Sequence, residues 1–298
     1  MDIAITGSSG LIGTALTTSL EADGHRVLPV VRGGDRADAI RWDPASGTIE
    51  AGGLEGVDAV VHLAGEGIAS GPWTEAQRRR IAESRRLGTD LLARTLAQLD
   101  DPPSTLLSGS AIGFYGDRGD EVLTEASAPG DGFLTAVCRD WEAATAPAEA
   151  AGIRVAHLRT GIVLDPDGGA LGKQLPIFRL GLGGRAGRGT QWMSWITLDD
   201  EVRAIRFALE HDELHGPLNL TAPAPVTNAA FTKALGAQLH RPTALTIPRF
   251  ARRAPFGLGD LIESLLFTSA RVQPQALTDA GFEFSDPELA GALARLLD

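Results

Sequence analysis

Asp2-Ile-Ala-Ile-Thr-Gly-Ser-Ser-Gly-Leu-Ile-Gly13 carries a short apolar run into a GxxGxxG turn and on into a helical pattern. Residues 3–6 read as a buried strand. Leu11, Ile12, Ala15, Leu16 and Leu20 then fall at helical spacing up to a stop at Gly24. In such a turn Gly7 allows the sharp bend, Gly10 lets backbone amides approach a pyrophosphate, and Gly13 lets the helix pack closely on its strand. The helix N-terminus adds unpaired amides and the positive end of a dipole. The stretch therefore predicts a dinucleotide-phosphate cradle made of Gly7, Ser8, Ser9, Gly10, Leu11, Ile12 and Gly13. A purely structural strand-to-helix turn gives no reason for three glycines at these positions.

The next strand, expected over 25–32, ends on Arg32, followed by Gly33 and Gly34. NAD-preferring folds place a carboxylate there for the ribose 2′-hydroxyl, whereas an arginine accommodates a 2′-phosphate. A planar guanidinium suits phosphate oxygens, so NADP(H) is the expected cofactor. The alternative is a solvated strand end, with Arg36 and Arg41 nearby taking no part.

A chain of 298 residues can bury a substantial core. With 27 basic and 38 acidic residues its formal charge is −11, which argues against nucleic acid or an anionic membrane as partner and makes any phosphate binding local. No apolar stretch approaches membrane-spanning length and no basic-then-apolar leader precedes the first strand, so a cytoplasmic protein is expected. The single cysteine, Cys138, excludes an intrachain disulfide and a cysteine-cluster metal site. Scattered histidines without an HExxH-like spacing give no support to a metal.

Apolar strand candidates alternate with amphipathic helices through the first half, the signature of a doubly wound, Rossmann-type parallel sheet of the α/β class. Strands are expected near 2–6, 26–32, 58–64, 104–109 and 153–160, with a small hairpin around Pro44-Ala-Ser-Gly47. Helices are expected at 74–99, capped by Thr74, and at 135–151, kinked at Pro147. Past Leu164 a helix to about 180 precedes the loop Gly181-Leu-Gly-Gly-Arg-Ala-Gly-Arg-Gly-Thr-Gln191. A strand at 193–196, a helix at 199–211 and a strand at 217–221 are expected to rejoin the sheet. Residues 1–164, rejoined by about 190–222, thus form an NADP(H)-binding domain. Residues 165–189 and 223–298, with a strand near 243–247, form a smaller C-terminal substrate lobe.

Thr6-Gly-Ser-Ser-Gly-Leu-Ile-Gly13, Asp58-Ala-Val-Val-His-Leu-Ala-Gly65, Ser110-Ala-Ile-Gly-Phe-Tyr-Gly116 and Leu158-Arg-Thr-Gly-Ile-Val-Leu164 together resemble the extended short-chain dehydrogenase/reductase superfamily. Glu83-Ser-Arg85, Cys138-Arg-Asp-Trp-Glu142, Gln191-Trp-Met-Ser-Trp-Ile196 and Asn219-Leu-Thr-Ala222 narrow the likeness to its atypical, SulA-homologue epimerase-like group. The resemblance implies that Leu63, Ala64 and Gly65 line the cofactor and that Arg85 points toward it. It also exposes a departure. Active extended members carry a YxxxK pair whose tyrosine is the acid/base and whose lysine binds the nicotinamide ribose. Alignment through Trp141-Glu142 puts Leu134 and Cys138 in those places, and neither can do the work.

What remains at the expected active face is Ser110 and Tyr115, the catalytic candidates. Ser110 either polarises a substrate oxygen or closes a loop hydrogen bond. Tyr115 either supplies a proton or, as favoured here, contacts substrate. His62 reads as a hydrogen-bonded core or cofactor-face histidine, and Cys138 as an inert buried residue. Arg185 and Arg188 in the glycine-rich loop are candidates for a phosphorylated or carboxylated substrate, and Trp192 either stacks on a ring or pins the loop. Ser110, Tyr115, Arg185 and Arg188 are expected to converge on one cavity. The expected activity is hydride transfer from NADPH to a small organic substrate, without metal, nucleic acid or membrane and with a homodimer left open. The rivals are a nucleotide-sugar epimerase/dehydratase-like enzyme and a non-catalytic NADP(H) sensor or scaffold.

Overall fold

A computed structural model describes residues 1–33 and 38–298, so Gly34 and Arg36 of the sequence reading lie outside the described residues. The chain opens with β1 (Asp2–Thr6), α1 (Leu11–Ala22), β2 (Arg26–Val31), β3 (Ile40–Asp43), β4 (Thr48–Ile49) and β5 (Ala59–His62). Next come α2 (Glu75–Leu96), β6 (Thr105–Ala111), β7 (Val122–Leu123), α3 (Phe133–Ala143), α4 (Ala146–Ala150), β8 (Arg154–Thr160) and β9 (Ile162–Leu164). Then follow α5 (Gly169–Arg179), β10 (Gly184–Ala186), β11 (Trp192–Met193), β12 (Trp195–Thr197), α6 (Leu198–Glu210) and β13 (Gly216–Leu220). The last part holds β14 (Val226–Thr227), α7 (Asn228–Gln238), β15 (Leu245–Ile247), α8 (Leu258–Leu266), β16 (Arg271–Val272), α9 (Gln275–Asp279) and α10 (Leu289–Leu297).

One eight-stranded sheet has the order β13-β8-β6-β5-β1-β2-β3-β4. Its pairs are parallel except the β3–β4 hairpin. Both faces are covered, which is why β5 is buried at every position. Ile3, Ile5, Leu107 and Leu158 pack with α1 and α6 on one face, and Ala4, Val60 and Leu106 with α2 and α4 on the other. From β1 the strand order runs outward in both directions, and the carboxyl ends of β1 and β5 flank the crevice where such sheets take ligands.

Three expectations need correction. The strand of 193–196 does not rejoin the main sheet: Trp195–Thr197 pairs with β9 in a separate two-stranded sheet, while Gly216–Leu220 does lie beside β8. The helix of 135–151 is not one kinked rod. It ends at Ala143, and Pro147, which lacks a backbone donor, sits in the first turn of α4. The glycine-rich loop is not without regular structure, since β10 pairs in parallel with β15. Thr74 caps α2 as expected, accepting from the Gln77 amide at 3.2 Å.

The C-terminal elements have their own core of Leu171, Leu175, Phe178, Trp195, Phe231, Leu235 and Leu293. Among the described residues no helix is long and apolar enough to cross a membrane.

Candidate functional site

The three glycines divide the work differently from the simplest expectation. Gly7 sits at φ +70°, and a Cβ there would come within 2.8 Å of the Leu63 carbonyl carbon, so it packs the turn against the end of β5. A Cβ on Gly13 would drive into the Gly7 carbonyl oxygen, so Gly13 seats the helix on the turn itself. Gly10 donates to the Gly7 carbonyl at 2.9 Å and is exposed. It is the N-cap of α1 and offers no side-chain cap, which leaves the amides of the first turn open to an anion. Ser8 and Ser9 flank this opening, and Leu11 reaches across to Gly168 and Gly169 at the start of α5.

The floor beside the cradle is fixed by a hydroxyl that the sequence reading passed over. Thr6 Oγ1 accepts from the Leu63 and Ala64 amides, each at 3.1 Å, which uses both its lone pairs. Its proton therefore goes to His62 Nδ1 at 2.7 Å, and His62 Nε2–H donates to Thr89 Oγ1 at 2.9 Å. Burial, assisted by the nearby Arg85 charge, pushes the His62 pKa down to about 4, so the ring is neutral. His62 is a fully bonded core residue that sets where Leu63, Ala64 and Gly65 leave the sheet. The nearest signal in the sequence was the polar pair Thr6 and His62, each at the end of an apolar strand.

Arg32 is exposed at the end of β2. Its charge contributes to lowering the pKa of Glu66, just past β5, after the hydrogen bonds from Gln77 and Ser70 and the charge of Arg80. Arg85 lies across the crevice on α2. Its Nη1 donates to the Glu66 and Ile81 carbonyls at 2.9 and 3.1 Å, and its guanidinium carbon stands 4.8 Å over the Trp141 ring. Burial lowers its pKa, with Cys138 and Glu66 opposing.

Leu134 and Cys138 of α3 face the turn that follows β6: a Cβ on Gly113 would lie 3.2 Å from Leu134 Cβ and 3.6 Å from Cys138 Sγ. The thiol donates to the Ala111 carbonyl at 3.6 Å, and burial, then the Glu142 charge, push its pKa up to about 12. It is a neutral thiol.

Ser110 Oγ donates to Glu142 Oε1 at 2.6 Å, and Arg159 holds the same carboxylate. Arg159 Nη1 also donates to the Tyr115 hydroxyl at 3.0 Å, and that hydroxyl donates to Asn219 Oδ1 at 2.7 Å. Tyr115 is fully buried, and burial raises its pKa. Arg185 and Arg188 are exposed, the first on β10 and the second in the turn after it. Tyr115 is therefore sealed off from any cavity that those arginines line, because both polar contacts of its hydroxyl are made inside the fold. Trp192 donates from Nε1 to Asp120 Oδ1 at 2.8 Å and carries Arg271 4.3 Å over its ring, which pins the loop to neighbouring segments. Asn219 closes the network with Nδ2 on the Gln273 carbonyl at 2.9 Å. The sequence offered it only inside a family-like phrase. Among the described residues no three His, Cys, Asp or Glu side chains are grouped to hold a metal ion.

The chain is similar to known proteins over nearly its whole length. An epimerase family protein of Mycobacterium bovis is 46% identical, with 98% of this chain and 96% of that protein aligned. The crystal structure of human epimerase family protein SDR39U1 with NADPH is 35% identical and superposes with a TM-score of 0.90, covering 99% of each chain. A nucleoside-diphosphate sugar epimerase from Corynebacterium glutamicum is 40% identical with a TM-score of 0.83, covering all of this chain and 58% of that one. Residues 247–296 match a domain of unknown function, DUF1731. Residues 3–220 match the NAD dependent epimerase/dehydratase family over most of the chain, and the protein belongs to that family.

Proposed function

We propose that the protein is an NADP(H)-dependent oxidoreductase acting on a small organic substrate. The observation that carries this reading is the exposed Arg32 at the end of β2, beside a glycine cradle whose helix is left uncapped. The human relative crystallised with NADPH supports it. The open amides of the first turn of α1 take the pyrophosphate, and Arg32 takes the 2′-phosphate. Leu63, Ala64 and Gly65, held by the Thr6 hydroxyl, form the floor. NADPH, when bound, supplies a hydride.

Ser110, whose proton is held by Glu142, receives a hydrogen bond from the substrate rather than donating one. With Tyr115 sealed and Cys138 protonated, the proton that completes the reduction comes from water. Arg185 and Arg188, exposed on the glycine-rich loop, gather a carboxylate or phosphate of the substrate, with Trp192 holding that loop in place. Residues 1–164 with about 190–222 serve the cofactor, the remainder serves the substrate, and the cytoplasm is where we place the reaction.

Quenching of tryptophan fluorescence by NADPH and by NADH tests the cofactor. NADPH is expected to bind at least about 10-fold tighter, with the preference lost in Arg32→Asp; equal affinities overturn the assignment. The sealed Tyr115 and protonated Cys138 favour a second reading, a non-catalytic NADP(H) sensor. Transfer of deuterium from stereospecifically deuterated NADPH into any member of a metabolite library decides for the enzyme, and none decides for the sensor.

A further inference from the structure

The lysine of the superfamily's YxxxK pair supplies a permanent positive charge beside the nicotinamide ribose, and this chain has the neutral Cys138 in its place. A positive charge approaches this place from another element. Arg85 comes from α2, the helix packed against α3, and its guanidinium charge acts directly on the Cys138 thiol. It stands over Trp141, one helical turn beyond Cys138 and two beyond Leu134 along α3. On its other side is Gly65: a Cβ there would stand 3.1 Å from Cζ and 3.3 Å from both terminal nitrogens. Gly65 is exposed, so the guanidinium lies directly beneath the crevice surface.

The bonding of Arg85 is one-sided. Nη1 holds two carbonyls. Nε and Nη2 have no hydrogen-bond partner among the described residues, and neither is sealed from solvent. Among the described residues no carboxylate forms an ion pair with the group, and Glu66, whose charge reaches it, is engaged by Ser70 and Gln77. A half-buried guanidinium held on one edge, with the other edge and the charge unpaired among the described residues, is arranged to receive oxygen acceptors from a ligand.

We propose that Arg85 is the fixed cation of the nicotinamide end of the site, donating from Nε and Nη2 to the nicotinamide-ribose hydroxyls and replacing the missing lysine from a different helix. The proposal rests on the NADP(H) reading. Ser110 accepts rather than donates, so Arg85 is also the positive group that steadies negative charge developing on a substrate oxygen.

The test compares two ligands by titration calorimetry. NADPH spans the whole site, whereas 2′,5′-ADP ends before the nicotinamide ribose. Arg85→Met is expected to weaken NADPH about 10- to 100-fold and to leave 2′,5′-ADP within about twofold of the unaltered protein. Arg85→Lys, which keeps the charge and loses the planar fork, is expected to recover part of the loss and carries the test if the methionine variant does not fold. NADPH affinity within twofold of the unaltered protein in these variants overturns the proposal, and so does a parallel loss for both ligands. Failure of the unaltered protein to bind 2′,5′-ADP would instead overturn the NADP(H) reading, and this proposal with it.

Discussion

Glu142 and Arg159 meet through two parallel hydrogen bonds of 2.8 Å, Nε to Oε1 and Nη2 to Oε2, with side chains only 12% and 4% exposed. The pair ties α3 to the carboxyl end of β8. It also organises Ser110 through Oε1 and Tyr115 through Nη1. Phe114 closes it from the side, its ring centre 3.5 Å from the Arg159 guanidinium carbon.

Removing one partner of such a pair strands the other charge in a poorly hydrated place, which costs about 3–5 kcal/mol, more than the pair contributes relative to apolar residues. Arg159→Met and Glu142→Leu are each expected to lose that much in urea unfolding. The double variant is expected to be more stable than either single one. Losses that simply add would show that the two residues act independently.

The cradle glycines separate binding from folding. Gly10 is exposed and its Cβ would meet only the Gly7 carbonyl oxygen, at 3.3 Å. Gly10→Val is therefore expected to abolish quenching by NADPH while melting close to the unaltered protein. Gly13→Ala presses a methyl into the Gly7 carbonyl and is expected to lose at least about 2 kcal/mol of stability as well as binding. Thermal melts of the two variants, with and without NADPH, check the distinction.

The main sheet was legible because its strands are short apolar runs between helical patterns, and the hairpin because Pro44 and Gly47 bracket its turn. The placement of Trp195–Thr197 was not. A three-residue apolar strand carries no mark of its partner, and only the tertiary position of β9 decides it. For the site, the glycines and Arg32 could be read from spacing along one βαβ unit. The meeting of Arg85 with Gly65 and Trp141 joins three elements far apart in sequence, and the burial of Tyr115 depends on Asn219, 104 positions further along the chain. Periodicity reports which face of an element is buried and does not report which neighbour covers it.

Two buried groups tilt stability with pH in opposite directions. His62 is held neutral, its pKa lowered from 6.5 to about 4, so its contribution is present above about pH 6.5 and lost as the pH falls toward 4. Glu201 is fully buried; Oε1 accepts from Thr160 at 2.7 Å and Oε2 has no hydrogen-bond partner among the described residues. Burial pushes its pKa up from 4.5 to about 8, so its contribution is present below about pH 4.5 and lost as the pH rises through 8. Each effect is of the order of a few kcal/mol. Between pH 4.5 and 6.5 the two slopes oppose each other, and above 6.5 the Glu201 slope acts alone. Glu201→Gln is expected to remove the decline in unfolding free energy between pH 6.5 and 8.5. A decline as steep as in the unaltered protein would rule out Glu201 as its source.

Cys138 distinguishes a thiol mechanism from the one proposed here. At pH 8 a thiol with a pKa of about 12 presents on the order of 10³-fold less thiolate than a free cysteine, and the thiolate is the nucleophile. Iodoacetamide is therefore expected to label the folded protein slower than the urea-unfolded chain by about that factor, or by more where access is also limiting. Because serine keeps a small, neutral hydrogen-bonding group at this position, as the protonated thiol is, Cys138→Ser is expected to retain NADPH affinity and any NADPH oxidation that the unaltered protein shows. Rapid labelling of the folded protein, together with loss of oxidation but not of binding in Cys138→Ser, would mean that the thiol ionises in the working enzyme and that its buried resting state opens during turnover.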